Sequence, residues 1–84
     1  MFKDMLFVRC GDEVQIQDYF TRECLERVVI GDHVKIECYD EMVFLSGELK
    51  KDSINQRLYL LDRNGFICEI EYGQVYERVW IVKD

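Results

Sequence analysis

Proline is absent from this sequence, histidine occurs once, as His33, and glycine only five times in 84 residues. With no proline and no Ser- or Gly-rich tract, the chain offers no polyproline segment, flexible linker or obvious point of division. Apolar runs such as Met5–Val8, Met42–Leu45 and Val79–Val82 fall far short of the roughly 18 to 20 residues a membrane helix requires. The opening Met1-Phe-Lys-Asp has mixed charge and leads into no apolar core with a small-residue cleavage site, so no secretory signal peptide is expected and a cytoplasmic location is. The four cysteines, Cys10, Cys24, Cys38 and Cys68, form neither the close pairs of a zinc site nor the density of a disulfide-stapled domain. They are expected to be reduced and buried as small hydrophobes, with no metal and no cofactor.

Catalytic signatures are equally scarce. General acid–base work at neutral pH usually falls to histidine, and His33 sits between Asp32 and Val34 at the start of an alternating segment, where a solvated position is expected. No Gly-rich phosphate loop, G-x-S-x-G elbow or metal pair occurs, so the chain is not expected to be an enzyme.

What is present suits a small β domain. Hydrophobic residues make up 49% and aromatics 13%, enough for a core in a chain whose length leaves room for one. The expected organisation is a single domain over residues 1–84. Val34, Ile36 and Cys38 alternate with Lys35 and Glu37, the period of a strand with one buried face. Met42–Leu49 predicts a long strand in which Gly47 permits a bend or a close backbone approach. Asp52–Asn55 is a turn, Arg57–Asp62 a strand, and Asn64-Gly65 predicts a two-residue type I′ hairpin turn, which needs positive φ twice. Phe66–Tyr72 and Glu77–Val82 supply two more strands, separated by Gly73-Gln74-Val75.

In the first 30 residues, Phe20, Cys24 and Val28 recur at helical spacing behind Asp18, a residue suited to capping, which predicts a short helix over Asp18–Val28. Met5–Val8 and Val14–Ile16 fit either a hairpin around Gly11-Asp12 or the first turns of a longer helix, and the hairpin is favoured. An echo supports it: Gly11-Asp12-Glu13-Val14-Gln15-Ile16 and Gly31-Asp32-His33-Val34-Lys35-Ile36 share a Gly-Asp turn followed by Val-x-Ile.

Gly31-Asp32-x-Val34-x-Ile36, Gly47-x-Leu49, Leu58-x-Leu60, Gly65 with Glu69-Ile70, and Val75 with Val79 resemble the spacing of small SH3-like or Sm-like barrels. The layout is also similar to the C-terminal domain of the ribosome maturation factor, to the YolD-like proteins of Gram-positive bacteria and their mobile elements, and to the Rho inhibitor Rof. The resemblance implies a mainly β fold, with a five-stranded barrel over residues 31–84 and a helical or hairpin extension over residues 1–30. It assigns no functional residue.

Charge then separates the classes of partner. With 11 basic against 17 acidic residues the net charge is −6, which repels a polyanion unless the basic groups gather on one face. Tyr39, Phe44, Tyr59, Phe66, Tyr72 and Tyr76 could stack bases, but only Lys50, Lys51 and Arg57 cluster, and they mark RNA binding as the alternative reading. The favoured reading is a regulatory or adaptor protein whose acidic groups, Glu23, Glu26, Asp40, Glu41, Glu69, Glu71 and Glu77, meet a basic surface on another protein, including one that handles nucleic acid. Tyr39 and Tyr76 are the candidate aromatic anchors. Homo-oligomers are compatible with either reading.

Overall fold

The computed structural model describes residues 1–83. Eight strands, β1 (Phe2–Cys10), β2 (Glu13–Asp18), β3 (Cys24–Val28), β4 (His33–Cys38), β5 (Val43–Lys51), β6 (Leu58–Leu61), β7 (Ile67–Ile70) and β8 (Tyr76–Val82), make one antiparallel sheet ordered β3-β2-β1-β8-β4-β5-β6-β7. The fold is therefore mainly β, as the alternating pattern requires. No helix long and apolar enough to cross a membrane is found among the described residues.

All eight strands contribute to one apolar cluster, which includes Met5, Phe7, Ile16, Val28, Ile36, Leu49, Leu60, Ile70, Tyr76 and Val79. A flat sheet could not bring its two terminal strands to a common core, so the sheet curls around its buried face, in the sense that strand twist favours. Burying each large side chain contributes about 1.5–3 kcal/mol. β1 changes face at Asp4, whose φ is +48°: Met5 and Phe7 point to the core, and Phe2 also packs against it despite the odd spacing.

The helix expected over Asp18–Val28 is not formed. Asp18 does act as a cap, its Oδ1 accepting the N–H groups of Phe20 and Thr21, both at 2.9 Å, but it closes a turn from which β3 emerges to pair with β2. A helix this short is marginal by itself, and Phe20 and Cys24, two members of its supposed apolar stripe, are exposed. As a strand, the same segment buries Val28 and satisfies the backbone of β2. The favoured hairpin around Gly11-Asp12 is present, with Cys10 opposite Glu13 and Gly11 at φ +63°.

At Asn64-Gly65 the hairpin forms with a different turn. Gly65 has φ +87°, but Asn64 is not among the positive-φ residues, so the type I′ condition fails. The loop instead has three residues: Gly65 N–H donates to Asp62 O at 3.1 Å, and Asp62 N–H donates to Phe66 O at 3.0 Å. This is a turn closed by a one-residue bulge. Asp62 Oδ1 accepts from Asn64 and Phe66 N–H, which explains the choice.

Gly47 serves close approach. A Cβ there would stand 2.6 Å from Leu61 O, because β6 crosses directly against β5. Beyond it, Leu49 exchanges backbone hydrogen bonds with the Gly31-Asp32 turn at 2.9 and 2.8 Å. The expectation of four buried cysteines is corrected: Cys38 is buried and Cys68 half-buried, while Cys10 and Cys24 are exposed. Both exposed thiols lie at strand ends, where alternation no longer directs side chains inward.

Candidate functional site

Strands β8, β4 and β5 pair so that their outward residues form rows across the sheet. Arg78, Glu37 and Phe44 make one row, and Trp80, Lys35 and Ser46 the next. Tyr39, one step beyond β4, folds back over the first row. Its ring stands edge-on to Phe44 at 5.6 Å and 84°, and the Arg78 guanidinium lies 4.7 Å from its centroid. Lys35 Nζ sits 4.9 Å from the centre of the Trp80 ring. Such edge-to-face and cation–π contacts hold large side chains in place without removing them from solvent.

Glu37 joins these groups. Its Oε2 accepts the Tyr39 hydroxyl hydrogen at 2.7 Å, and Oε1 lies 3.3 Å from Lys35 Nζ. The Tyr39 hydrogen bond, supported by Lys35 and Arg78, holds the Glu37 carboxyl below its ordinary range against partial desolvation. The same hydrogen bond, with desolvation and the nearby negative charge, pushes the Tyr39 phenol up.

Around the corner from Tyr39, a shallow cleft is lined by Asp4, Cys38, Asp40, Glu41, Val75 and Glu77. Tyr39 N–H donates to Glu77 Oε2 at 2.9 Å, which ties the aromatic corner to the acidic one. Of the acidic residues singled out by sequence, Asp40, Glu41 and Glu77 are thus brought together with Tyr39. Tyr39 is 44% exposed, Phe44 52% and Met42 75%, and Met42 is held at φ +55°.

The other candidates lie elsewhere. Glu23 is exposed in the turn before β3, and Glu26 is 4.0 Å from Lys83. Glu69 is bound by Arg57 at 3.1 Å, and Glu71 follows β7, donating its backbone N–H to the Tyr76 hydroxyl at 3.1 Å. Tyr76 is not an anchor. It is 4% exposed and packs edge-on against Phe7 at 5.7 Å, because β8 places it on the core face. Of the residues grouped for RNA, Lys50 is paired with Glu48 at 3.3 Å and Arg57 with Glu69, while Lys51 is half-buried at the end of β5. Of the aromatics considered for stacking, Tyr39, Phe44 and Phe66 are exposed, and Tyr59 and Tyr72 half-buried.

Glu37, Met42, Phe44, Arg78 and Asp4 complete the corner and were not anticipated as a group. The alternation of Lys35 and Glu37 signals their outward direction, but cross-strand neighbours are set by register. Among the described residues, no group of three His, Cys, Asp or Glu side chains is placed to hold a metal ion. Compared with models of protein families, with curated proteins and with solved structures, the chain matches none.

Proposed function

We propose that this chain is a small acidic regulatory or adaptor protein that binds another protein through the Tyr39 corner. The observation that carries the reading is the exposed Tyr39–Phe44 pair standing beside Asp40, Glu41 and Glu77. Fixed aromatics with an acidic rim suit a partner that inserts an apolar group and surrounds it with Lys or Arg. A protein whose basic face otherwise holds nucleic acid meets that description. The strand order β8-β4-β5-β6-β7 and the close approach at Gly47 support reading residues 31–84 as an SH3-like or Sm-like unit, with β1–β3 extending its sheet alongside β8.

RNA binding is the second reading. It is favoured by the cations already standing over Trp80 and Tyr39 and opposed by the ion pairs on Lys50 and Arg57 and by the net charge.

Capture of partners from a lysate, with and without nuclease, by the wild-type protein and by a Tyr39→Ala/Asp40→Lys/Glu41→Lys variant tests the choice. The expected result is a nuclease-resistant protein retained by the wild type and lost by the variant, with the circular dichroism of the two unchanged. Bound RNA, or a partner indifferent to the variant, overturns the reading.

A further inference from the structure

The sheet has two terminal strands, β3 and β7, and they are finished differently. At β3, Lys83 Nζ donates to Arg27 O at 2.8 Å and pairs with Asp32 Oδ2 at 2.7 Å, so a charged side chain from the end of β8 occupies the outer backbone of the edge. A lysine placed there is one of the ordinary ways to block strand addition. β8 is hydrogen-bonded on both sides, to β1 and to β4, and offers no edge at all.

β7 has no comparable protection among the described residues. The Asp62–Phe66 hydrogen bond sets the phase of the β6–β7 ladder. In an antiparallel pair, hydrogen-bonded and non-hydrogen-bonded positions alternate, so Phe66, Cys68 and Ile70 direct their backbone toward β6. Ile67 and Glu69 direct their N–H and C=O groups outward. Beside this open backbone, Phe66 is 66% and Ile67 65% exposed.

We propose that β7 is the seam of a symmetric dimer of this chain, in which β7 pairs antiparallel with β7 of a second copy about a two-fold axis at Cys68. The phase and the charges select this register. Outward groups must meet outward groups, so the axis falls at Ile67, Cys68 or Glu69. An axis at Glu69 sets two carboxylates of acidic chains directly opposite each other. An axis at Ile67 would pair Glu69 with Gly65, which lies in the turn at φ +87°. With the axis at Cys68, Ile67 of each copy exchanges both hydrogen bonds with Glu69 of the other, and the two Cys68 residues face each other at a non-hydrogen-bonded position. There Cα atoms are about 4.5 Å apart, within disulfide reach.

The charge at the seam permits a second copy. Arg57 and Arg63 stand near β7 against Asp62, Glu69 and Glu71, so the local charge is within one unit of neutral although each chain carries −6. The remaining repulsion is long-range and screened by salt. Dimerisation is therefore strengthened by added salt, the opposite of docking by a basic strand from another protein.

Sedimentation equilibrium at micromolar to millimolar protein, on wild type and Ile67→Glu, provides the test, with oxidative cross-linking in a Cys10→Ser/Cys24→Ser background. The expected result is a reversible dimer that is tightened by salt, is weakened at least about tenfold by Ile67→Glu, which sets a carboxylate directly opposite Glu69 of the other copy, and forms a Cys68-dependent covalent dimer on oxidation. Ile67 is exposed, so the variant is expected to fold, as thermal melting will verify. Monomers at every concentration, a dimer indifferent to Ile67→Glu, one weakened by salt, or one that fails to cross-link through Cys68 overturns the proposal.

Discussion

Lys83 Nζ lies 2.7 Å from Asp32 Oδ2, so the end of the last strand is fastened to the turn that starts the fourth. Asp32 Oδ2 also accepts the Val29 N–H at 3.0 Å. The two Gly-Asp sequences therefore share turn chemistry but differ in consequence. Asp12 stands exposed in a hairpin turn, whereas Asp32 is buried and joins three parts of the chain.

Replacing Asp32 by Ala removes the acceptor for both Val29 N–H and Lys83, and is expected to cost about 1–3 kcal/mol. Asp12→Ala is expected to stay within about 0.5 kcal/mol. Urea denaturation of both variants measures the difference, and equal losses would contradict the distinction drawn between the turns.

The Asp32 interaction also gives stability a direction with pH. Desolvation by burial opposes ionisation, but hydrogen bonds from Lys83 and Val29 and the Lys83 charge hold the carboxyl below its ordinary value of 3.8. A group depressed in the folded state stabilises it above the unfolded value, and that contribution is lost as pH falls through the folded one. Stability followed by denaturation from pH 6 downward should therefore fall less steeply below about pH 4 in Asp32→Asn than in wild type. Parallel curves would remove Asp32 as a source of acid sensitivity.

Gly47→Val places a Cβ 2.6 Å from Leu61 O, an encounter with backbone that no side-chain rotation relieves. The expected loss is about 1–3 kcal/mol or more, seen as a lowered melting temperature. An unchanged melting temperature would mean that β5 and β6 do not approach as described.

Cysteine exposure divides the thiols into classes. Cys10 and Cys24 should react with a thiol reagent in the native protein, Cys38 only after unfolding, and Cys68 at an intermediate rate. Peptide mapping of the labelled protein checks the assignment, and rapid native labelling of Cys38 would contradict it.

Glu37→Gln removes the negative acceptor from the Tyr39 hydroxyl and is expected to lower that phenol toward its ordinary value of 10.0, from which it is raised in the wild type by Glu37 and desolvation. Ultraviolet difference titration follows the change, with Tyr39→Phe identifying the signal. Identical titrations would show that the pair does not form in solution.

The amino-acid sequence by itself determined the mainly β class, the outward direction of His33, Lys35 and Glu37, and the positions of the turns at Gly11, Gly31, Asn55 and Gly65. Those are local matters: side-chain alternation has period two, and Gly, Asp and Asn carry their turn preferences with them. Tertiary structure decided the rest. Whether Asp18 began a helix or closed a turn depended on whether β2 needed a neighbour. Whether Tyr76 stood in the open depended on which face β8 turned toward Phe7. The gathering of Tyr39, Phe44, Arg78, Asp40 and Glu77 depended on the registers of β4, β5 and β8, since a shift of one residue in any of them would turn its side chains to the opposite face. Long-range pairing creates a site from residues that are distant in sequence, and no periodicity along one strand records which residue will stand across from it.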